Sequence, residues 1–408
     1  MKRRFIFSLI AVLALLAIIA SALSALSTTM ALAAVQPATV AVPSSVSLAP
    51  KSTALSDLES AYENIYTQVN PSVVLINVLI GASTNPQSGR RGIPQTGRVQ
   101  QALGSGFMWD TEGDIVTNNH VIDGATQITV TFADGTTVPG KLVGADPDSD
   151  LAVVKVDVPT SQLHPVQVAD STKARVGQLA VAIGNPYGEQ NTMTIGIISA
   201  LGRSLPASGD TTQGQGASQG PAYTIPDVIQ TDAPINPGNS GGVLLNSAGQ
   251  VLGVTQSIES ASGSSSGIGF AIPAAIVQQV IPALIKTGHY DHPYLGISGT
   301  SLLPGLAQAM GLPASQRGAL IAQVTPNGPA AQAGLLGNTR PATVEGVQTQ
   351  VGGDVITALD GQQIKGFDDL VAYLARYTQV NQTIKVTILR DGKSQDISVT
   401  LTARPSSS

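Results

Sequence analysis

The sequence predicts a mainly β protein, an all-β barrel or sandwich with room for two barrels, followed by a smaller module mixing strands and helices. Three observations carry this. From about Leu58 onward, short apolar runs recur at close intervals between turn formers such as Asp134-Gly135. No long amphipathic helix alternates with these runs, which disfavours a parallel α/β sheet. The hydrophobic period then changes in "AIPAAIVQQVIPALIKTG" (271–288), which reads as a helix closing the first module.

The elements follow in chain order. Lys2, Arg3 and Arg4 precede an apolar run from Phe5 to Ala20, a weaker run to Leu26, and "ALAA" at Ala31 to Ala34. That order describes a secretory signal cut after Ala33. The stretch from Phe5 to Leu26 is also long enough to serve as an uncleaved membrane anchor or tether. Residues 1–33 are therefore read as a signal peptide or an anchor, and either places the remainder outside the cytoplasm. Cleavage would remove those three cations and no anion, taking the formal charge from −5 to −8. Residues 34–57, rich in Ala, Val, Pro, Ser and Thr, read as a flexible linker.

"SVVLINVLI" (72–80) reads as a buried strand and "SGRRGIPQTGRVQQ" (88–101) as a polar loop open to nicking at Arg90-Arg91. Strand candidates then include "GSGFMWD", "DIVTNN", "QITVTF", "DLAVVKV", "QLAVAIG", "TMTIGIISA", "VLLN" and "VLGVTQSI". "HYDHP" (289–293) reads as a hinge. Beyond it lie strands ("GALIAQV", "DVITAL", "TIKVTILR", "DISVTLTA") and helices around 330–335 and 367–377. At about 110 residues this second module has the size of one domain. The tail 405–408 reads as disordered.

Composition narrows the chemistry. The 408-residue chain is mildly acidic and has no basic stripe through its body, so nucleic acid is not an expected partner. It has no cysteine, which excludes disulfides and thiolate metal sites. Its four histidines, His120, His164, His289 and His292, form no HExxH pattern, so no metal and no cofactor is expected.

One nucleophile, one base and one acid stand out. "NPGNSGG" places Ser240 in a glycine-rich turn, where glycines allow the N–H groups of Gly238 and Ser240 to converge on one spot. "VTNNHVID" places His120 at the end of a strand in a turn, and "DPDSDLAVVKV" places Asp150 at the mouth of an apolar strand. A serine nucleophile needs such a base, and the base needs a carboxylate to fix its tautomer. Taken singly, each has a bland alternative: a structural histidine, a turn-capping aspartate like Asp146 or Asp148, a bulge. Together they run in the order His, Asp, Ser, one of the orders known for this triad. "GNSGG" also satisfies the G-x-S-x-G elbow of α/β-hydrolases. That fold needs an acid and then a histidine after the serine, and only Glu259 stands between Ser240 and His289.

"GSGFMWDTEGDIVTNNHVIDGA", "LVGADPDSDLAVVKV", "AIGNPYG" and "IQTDAPINPGNSGG" resemble the protease domain of the HtrA/Deg family. "YLGI" (294–297), "VTPNGPAAQAGL" and "GGDVITALDGQQI" resemble its PDZ domain, and the likeness runs from about 58 to 404. The resemblance implies a chymotrypsin-like double β-barrel serine protease domain over 58–288 and an α+β PDZ domain over 289–404. It implies His120 as base, Asp150 as its orienting acid, Ser240 as nucleophile, and Gly238, Asn239 and Ser240 as the oxyanion turn. Pro234, six before the nucleophile, falls at the implied base of the S1 pocket, so a small or medium aliphatic P1 side chain is expected. Strand 266–273 falls at the pocket wall. Residues 202–223 match a sensor loop. The PDZ loop Tyr294, Leu295, Gly296 and Ile297 would hold a substrate's C-terminal carboxylate, with Leu370 and Leu374 either lining its side-chain pocket or serving as core.

The implied protein is an exported, ATP-independent endopeptidase acting on unfolded or damaged polypeptides and their C-termini. A homotrimer, or a multiple of one, is expected through "LESAYENIYTQV", whose Tyr62 and Tyr66 could equally pack on the barrel. A binding protein, chaperone or peptide sensor with an idle protease fold is the alternative. Val243 and Pro234 depart from the usual family residues, and 336–351 is an insertion to which the sequence assigns no role.

Overall fold

The computed structural model describes residues 53–81, 100–185, 191–206, 224–256 and 267–405. The apolar segment 5–26, the linker up to residue 52, the Arg90-Arg91 loop, most of the expected sensor loop, Glu259 and residues 406–408 lie outside them. Among the described residues no helix is long and apolar enough to cross a membrane.

Helix α1 (Thr53–Val69) leads into β1 (Val73–Ile80). Next come β2 (Gln100–Met108), β3 (Asp114–Thr117), the single turn α2 (Asn119–Ile122), β4 (Ala125–Thr131), β5 (Thr137–Asp146) and β6 (Leu151–Lys155). These six strands close a barrel in the order β1-β2-β3-β6-β5-β4. A second set closes another, in the order β10-β11-β12-β9-β8-β7. Its strands are β7 (Leu179–Gly184), β8 (Thr192–Pro206), β9 (Thr224–Thr231), β10 (Val243–Leu245), β11 (Val251–Gln256) and β12 (Gly269–Pro273). Two closed six-stranded barrels are the chymotrypsin-like fold.

The barrels are joined by apolar burial rather than by strand pairing. Side chains alternate across a strand, and β6 uses both of its faces. Ala152 and Val154 fill the interior of the first barrel, while Leu151 and Val153 join a core shared with Val181, Ile183 and Val254 of the second. This is why "LAVVK" reads as one unbroken apolar run. Helix α3 (Ala274–Thr287) seals the shared core with Val277, Ile281 and Leu284 and stops at Gly288, which takes the left-handed conformation. The predicted helix began three residues earlier, but Ala271 to Pro273 pair with β11 in the barrel. On α1, Ile65 and Val69 are buried in the shared core and the Tyr66 hydroxyl donates to Asn191 O at 3.0 Å.

The second module contains β13 (Pro293–Tyr294), β14 (Ile297–Ser301), α4 (Pro304–Ala309), β15 (Ala319–Val324) and α5 (Pro329–Gln332). It continues through β16 (Arg340–Val344), β17 (Val347–Val351), β18 (Val355–Leu359), β19 (Gln362–Gln363), α6 (Phe367–Tyr377), β20 (Thr383–Arg390), β21 (Lys393–Thr400) and β22 (Thr402–Ala403). The main sheet runs β14-β15-β18-β20-β21, leaving β14 at an edge. The insertion at 336–351 forms the separate hairpin β16–β17, turning at Glu345 and Gly346, both with positive φ. Such a two-residue turn matches the twist of paired strands.

"HYDHP" is not a loose hinge. His292 Nε2 lies 2.8 Å from Asp146 Oδ2 at the end of β5, and the Tyr290 ring stands edge-on to His292. Arg404 pairs with Asp148 at 3.4 Å. Helix α6 packs on the second barrel: Arg376 pairs with the buried Asp227 of β9, and the Ser204 hydroxyl donates to Asp368 at 2.6 Å.

Candidate active site

His120 lies on α2, immediately beyond β3, and not in the turn the sequence suggested. Asp150 immediately precedes β6, and β3 pairs with β6, so the topology brings the two together across 30 residues. Asp150 Oδ2 is 2.7 Å from His120 Nδ1, and its Oδ1 accepts the His120 backbone N–H at 2.9 Å. An ionised carboxylate only accepts, so Nδ1 carries the proton and Nε2 keeps its lone pair. The Asp150 carbonyl takes the Asn118 side-chain amide at 2.8 Å and the Asn119 N–H at 3.1 Å. Asp150 is 1% exposed and adopts a left-handed φ of 54°.

The neighbouring aspartates are engaged elsewhere. Asp146 accepts the Ser149 hydroxyl, the Asp148 and Ser149 N–H groups, and His292. Burial pushes the Asp148 carboxyl up, against the pull of Arg404. The loop 146–150 thus gives one carboxylate to its own fold and a different one to His120.

Ser240 sits in the turn between β9 and β10, buried beside Asn239. The turn is anchored one peptide at a time. Gly238 O accepts the Ser105 hydroxyl at 2.6 Å, and the Asn239 N–H goes to Asn236 O at 2.9 Å. Asn239 O accepts the Thr255 hydroxyl at 2.5 Å and the Gly242 N–H at 2.9 Å. Ser240 O accepts the Ser105 N–H at 2.7 Å, and the Gly241 N–H goes to Thr255 O at 2.9 Å. Two glycines make this path feasible. Gly238 has φ 94°, and its own N–H meets no acceptor among the described residues. Gly241 has φ 84°, and a Cβ there would lie 2.1 Å from Ser105 O and 2.4 Å from Thr117 Oγ1. Buried N–H groups are nearly always paired, so an open one in this turn is a prepared donor.

Ser105, absent from the sequence-based site, joins these parts. Besides its two bonds to the turn, its hydroxyl accepts the Asn185 N–H at 2.8 Å and its carbonyl takes the Thr117 hydroxyl at 2.7 Å. Its signal was "GSG" at a strand position with no exposed face. Pro234 is exposed and its carbonyl accepts the Thr194 hydroxyl at 2.8 Å. The next residue, Ile235, is buried, and a Cβ on Gly269 would meet its side chain at 2.8 Å. Ile235 is therefore the side chain lying against β12.

A groove opens between edge strand β14 and α6, lined by Tyr294, Ile297, Phe367, Leu370, Val371 and Leu374. Leu370 and Leu374 line this groove and also belong to the module's core. The Leu295 side chain is buried, its carbonyl takes the Ala330 N–H, and Gly296 O takes the Thr325 N–H. Ile297 faces Val324. A residue whose predecessor's carbonyl bonds the neighbouring strand turns its own N–H the other way, so Ile297 N–H faces the free edge of β14. Among the described residues no cluster of three or more His, Asp or Glu approaches metal-ligand geometry.

Residues 104–254 match the trypsin-like peptidase domain family, and 293–401 match the PDZ domain family. The chain is similar to the solved HtrA-type protease AlgW with a bound decapeptide. Identity is 34% and the TM-score 0.61, covering 85% of this chain and 99% of that one. The chain belongs to the HtrA family of serine proteases. Other HtrA-like relatives include the chloroplastic Protease Do-like 1 of Arabidopsis thaliana, 41% identical over 76% of this chain and 66% of its own length. The periplasmic serine endoprotease DegP of Escherichia coli K12 is 41% identical over 74% of this chain and 57% of its own length. The chain thus spans between 57% and 66% of these two curated HtrA relatives.

Proposed function

We propose that this chain is an ATP-independent serine endopeptidase acting outside the cytoplasm on unfolded or damaged polypeptides. The observation that carries the proposal is the His120–Asp150 pair. A buried carboxylate takes both the ring Nδ1–H and the backbone N–H of one histidine, at 2.7 and 2.9 Å. That leaves Nε2 as the base for the Ser240 hydroxyl.

Ser240 attacks the scissile carbonyl while His120 takes its proton; the N–H groups of Gly238 and Ser240 receive the oxyanion, and His120 then protonates the leaving amine. Water repeats the cycle on the acyl-enzyme. Ile235 favours an aliphatic P1 residue. The PDZ groove captures substrate C-termini as an added strand on β14, with the carboxylate at Leu295, Gly296 and Ile297. Periplasmic relatives support an extracytoplasmic location. Trimerisation through α1 is part of the proposal, and the exposed Leu55 and Leu58 on that helix support it.

The test is turnover of unfolded casein by the purified chain beside Ser240→Ala. Cleavage by wild type alone is expected. Equal cleavage by both would remove Ser240 from the mechanism. Silence of both, persisting with a peptide of apolar C-terminus added, would favour a chaperone or sensor.

A further inference from the structure

The nucleophile turn is held by two buried hydroxyls, one from each barrel: Ser105 on β2 and Thr255 on β11, both 0% exposed. We propose that these hydroxyls are positioning residues for the oxyanion site. They fix the peptide planes of Gly238, Asn239 and Ser240 so that the Ser240 N–H is aimed before substrate arrives. The inference rests on the protease reading above.

The argument is geometric. A trans peptide points its C=O and the following N–H in opposite directions. Whatever holds Asn239 O therefore sets the direction of the Ser240 N–H. Thr255 Oγ1 holds it at 2.5 Å, and the Gly242 N–H bonds it from within the turn. The planes on either side are pinned by Ser105, through its hydroxyl to Gly238 O and its N–H to Ser240 O. Thr255 is itself fixed: its N–H goes to Gly242 O and its carbonyl takes the Gly241 N–H, both at 2.9 Å. Neither hydroxyl has access to solvent or substrate, so neither takes part in the chemistry. Catalytic donors work because they are oriented before charge develops, and this pair supplies the orientation from one strand of each barrel.

Thr255→Val keeps the shape and removes the hydroxyl. Asn239 O retains the Gly242 N–H, so the turn is still bonded and the fold is expected to hold. Losing a whole oxyanion donor costs about 100- to 1,000-fold in kcat; a misaimed one is expected to cost roughly 10- to 100-fold. KM should stay within about twofold, and affinity for a peptide boronate, whose adduct fills the oxyanion site, should fall in step with kcat. Thr255→Ser should recover most of the loss. Ser105→Ala is the second arm, with the same split expected; titrating sites with diisopropyl fluorophosphate counts only competent protein, so partial misfolding does not mimic the effect. If Thr255→Val and Ser105→Ala both keep wild-type kcat, or if Thr255→Ser is as impaired as Thr255→Val, the proposal is overturned. Wild type that neither cleaves casein nor reacts with the fluorophosphate would instead sink the protease reading, and this inference with it.

Discussion

Replacing Asp150 with Asn alters no volume and one hydrogen-bonding capacity. Asp150 offers Oδ1 to the His120 backbone N–H and Oδ2 to His120 Nδ1. An amide has one oxygen to give. The backbone N–H cannot change sign, so the amide oxygen must serve it, and the NH2 then faces Nδ1. His120 is driven to carry its proton on Nε2, the nitrogen that should receive the Ser240 proton. The backbone should not move: Asn tolerates the left-handed φ of 54° as well as Asp does, and the bonds to the Asp150 carbonyl are untouched. A wrong-tautomer histidine costs about 10⁴-fold in kcat, or about 5.5 kcal/mol at about 1.36 kcal/mol per decade. The assay is kcat on a quenched-fluorescent peptide, with a melting curve to show an intact fold. A folded Asp150→Asn protein that keeps more than a tenth of wild-type kcat would refute the tautomer argument.

Gly241→Ala should abolish activity and lower the melting temperature, because the new Cβ would overlap Ser105 O in a left-handed backbone; a soluble, active variant would contradict it. Burial raises the Asp227 carboxyl above the usual carboxylate range and Arg376 opposes the rise. A carboxyl raised by folding loses stability as pH climbs from its ordinary value through its folded one. Arg376→Met deepens that loss, costing about 3–5 kcal/mol at pH 8 and less at pH 4.5. Melting curves at both pH values check this, and an equal shift at the two would be inconsistent with it. Ala375→Phe places a ring in the groove beside Leu374; binding of a fluorescent apolar C-terminal peptide should weaken by about tenfold or more, roughly the worth of 1.4 kcal/mol, with the melting temperature unchanged.

Much of the site was legible because its chemistry sits in contiguous motifs. "NPGNSGG", "NNHVID" and "DPDSD" each name their residue, and the apolar runs mark the strands between them. Among the three aspartates of "DPDSD", the place at the strand mouth and the family resemblance single out Asp150, and the β3–β6 register shows why it, and not Asp146 or Asp148, meets His120. Ser105 and Thr255 read as ordinary strand residues because their partners lie 133 and 16 positions away. That Pro234 is exposed and Ile235 buried against β12 could not be read from the sequence, because counting back from the serine cannot tell which of two adjacent side chains turns inward. The insertion at 336–351 carried a usable signal in Glu345-Gly346 between alternating residues.

The docking of "HYDHP" bears on how far the two modules can be exchanged. A chain cut after Gly288, where the sequence suggests a boundary, would lack His292 and Arg404. Asp146 and Asp148 would lose their outside partners, only two and four residues from the carboxylate that orients His120. An excised protease fragment, or a chimera carrying another organism's PDZ module, would keep His120, Asp150 and Ser240 with the 146–150 loop held from one side only. Transplantable units in this protein therefore end not at the 289–293 segment but beyond it, with His292 and Arg404 travelling with the first module.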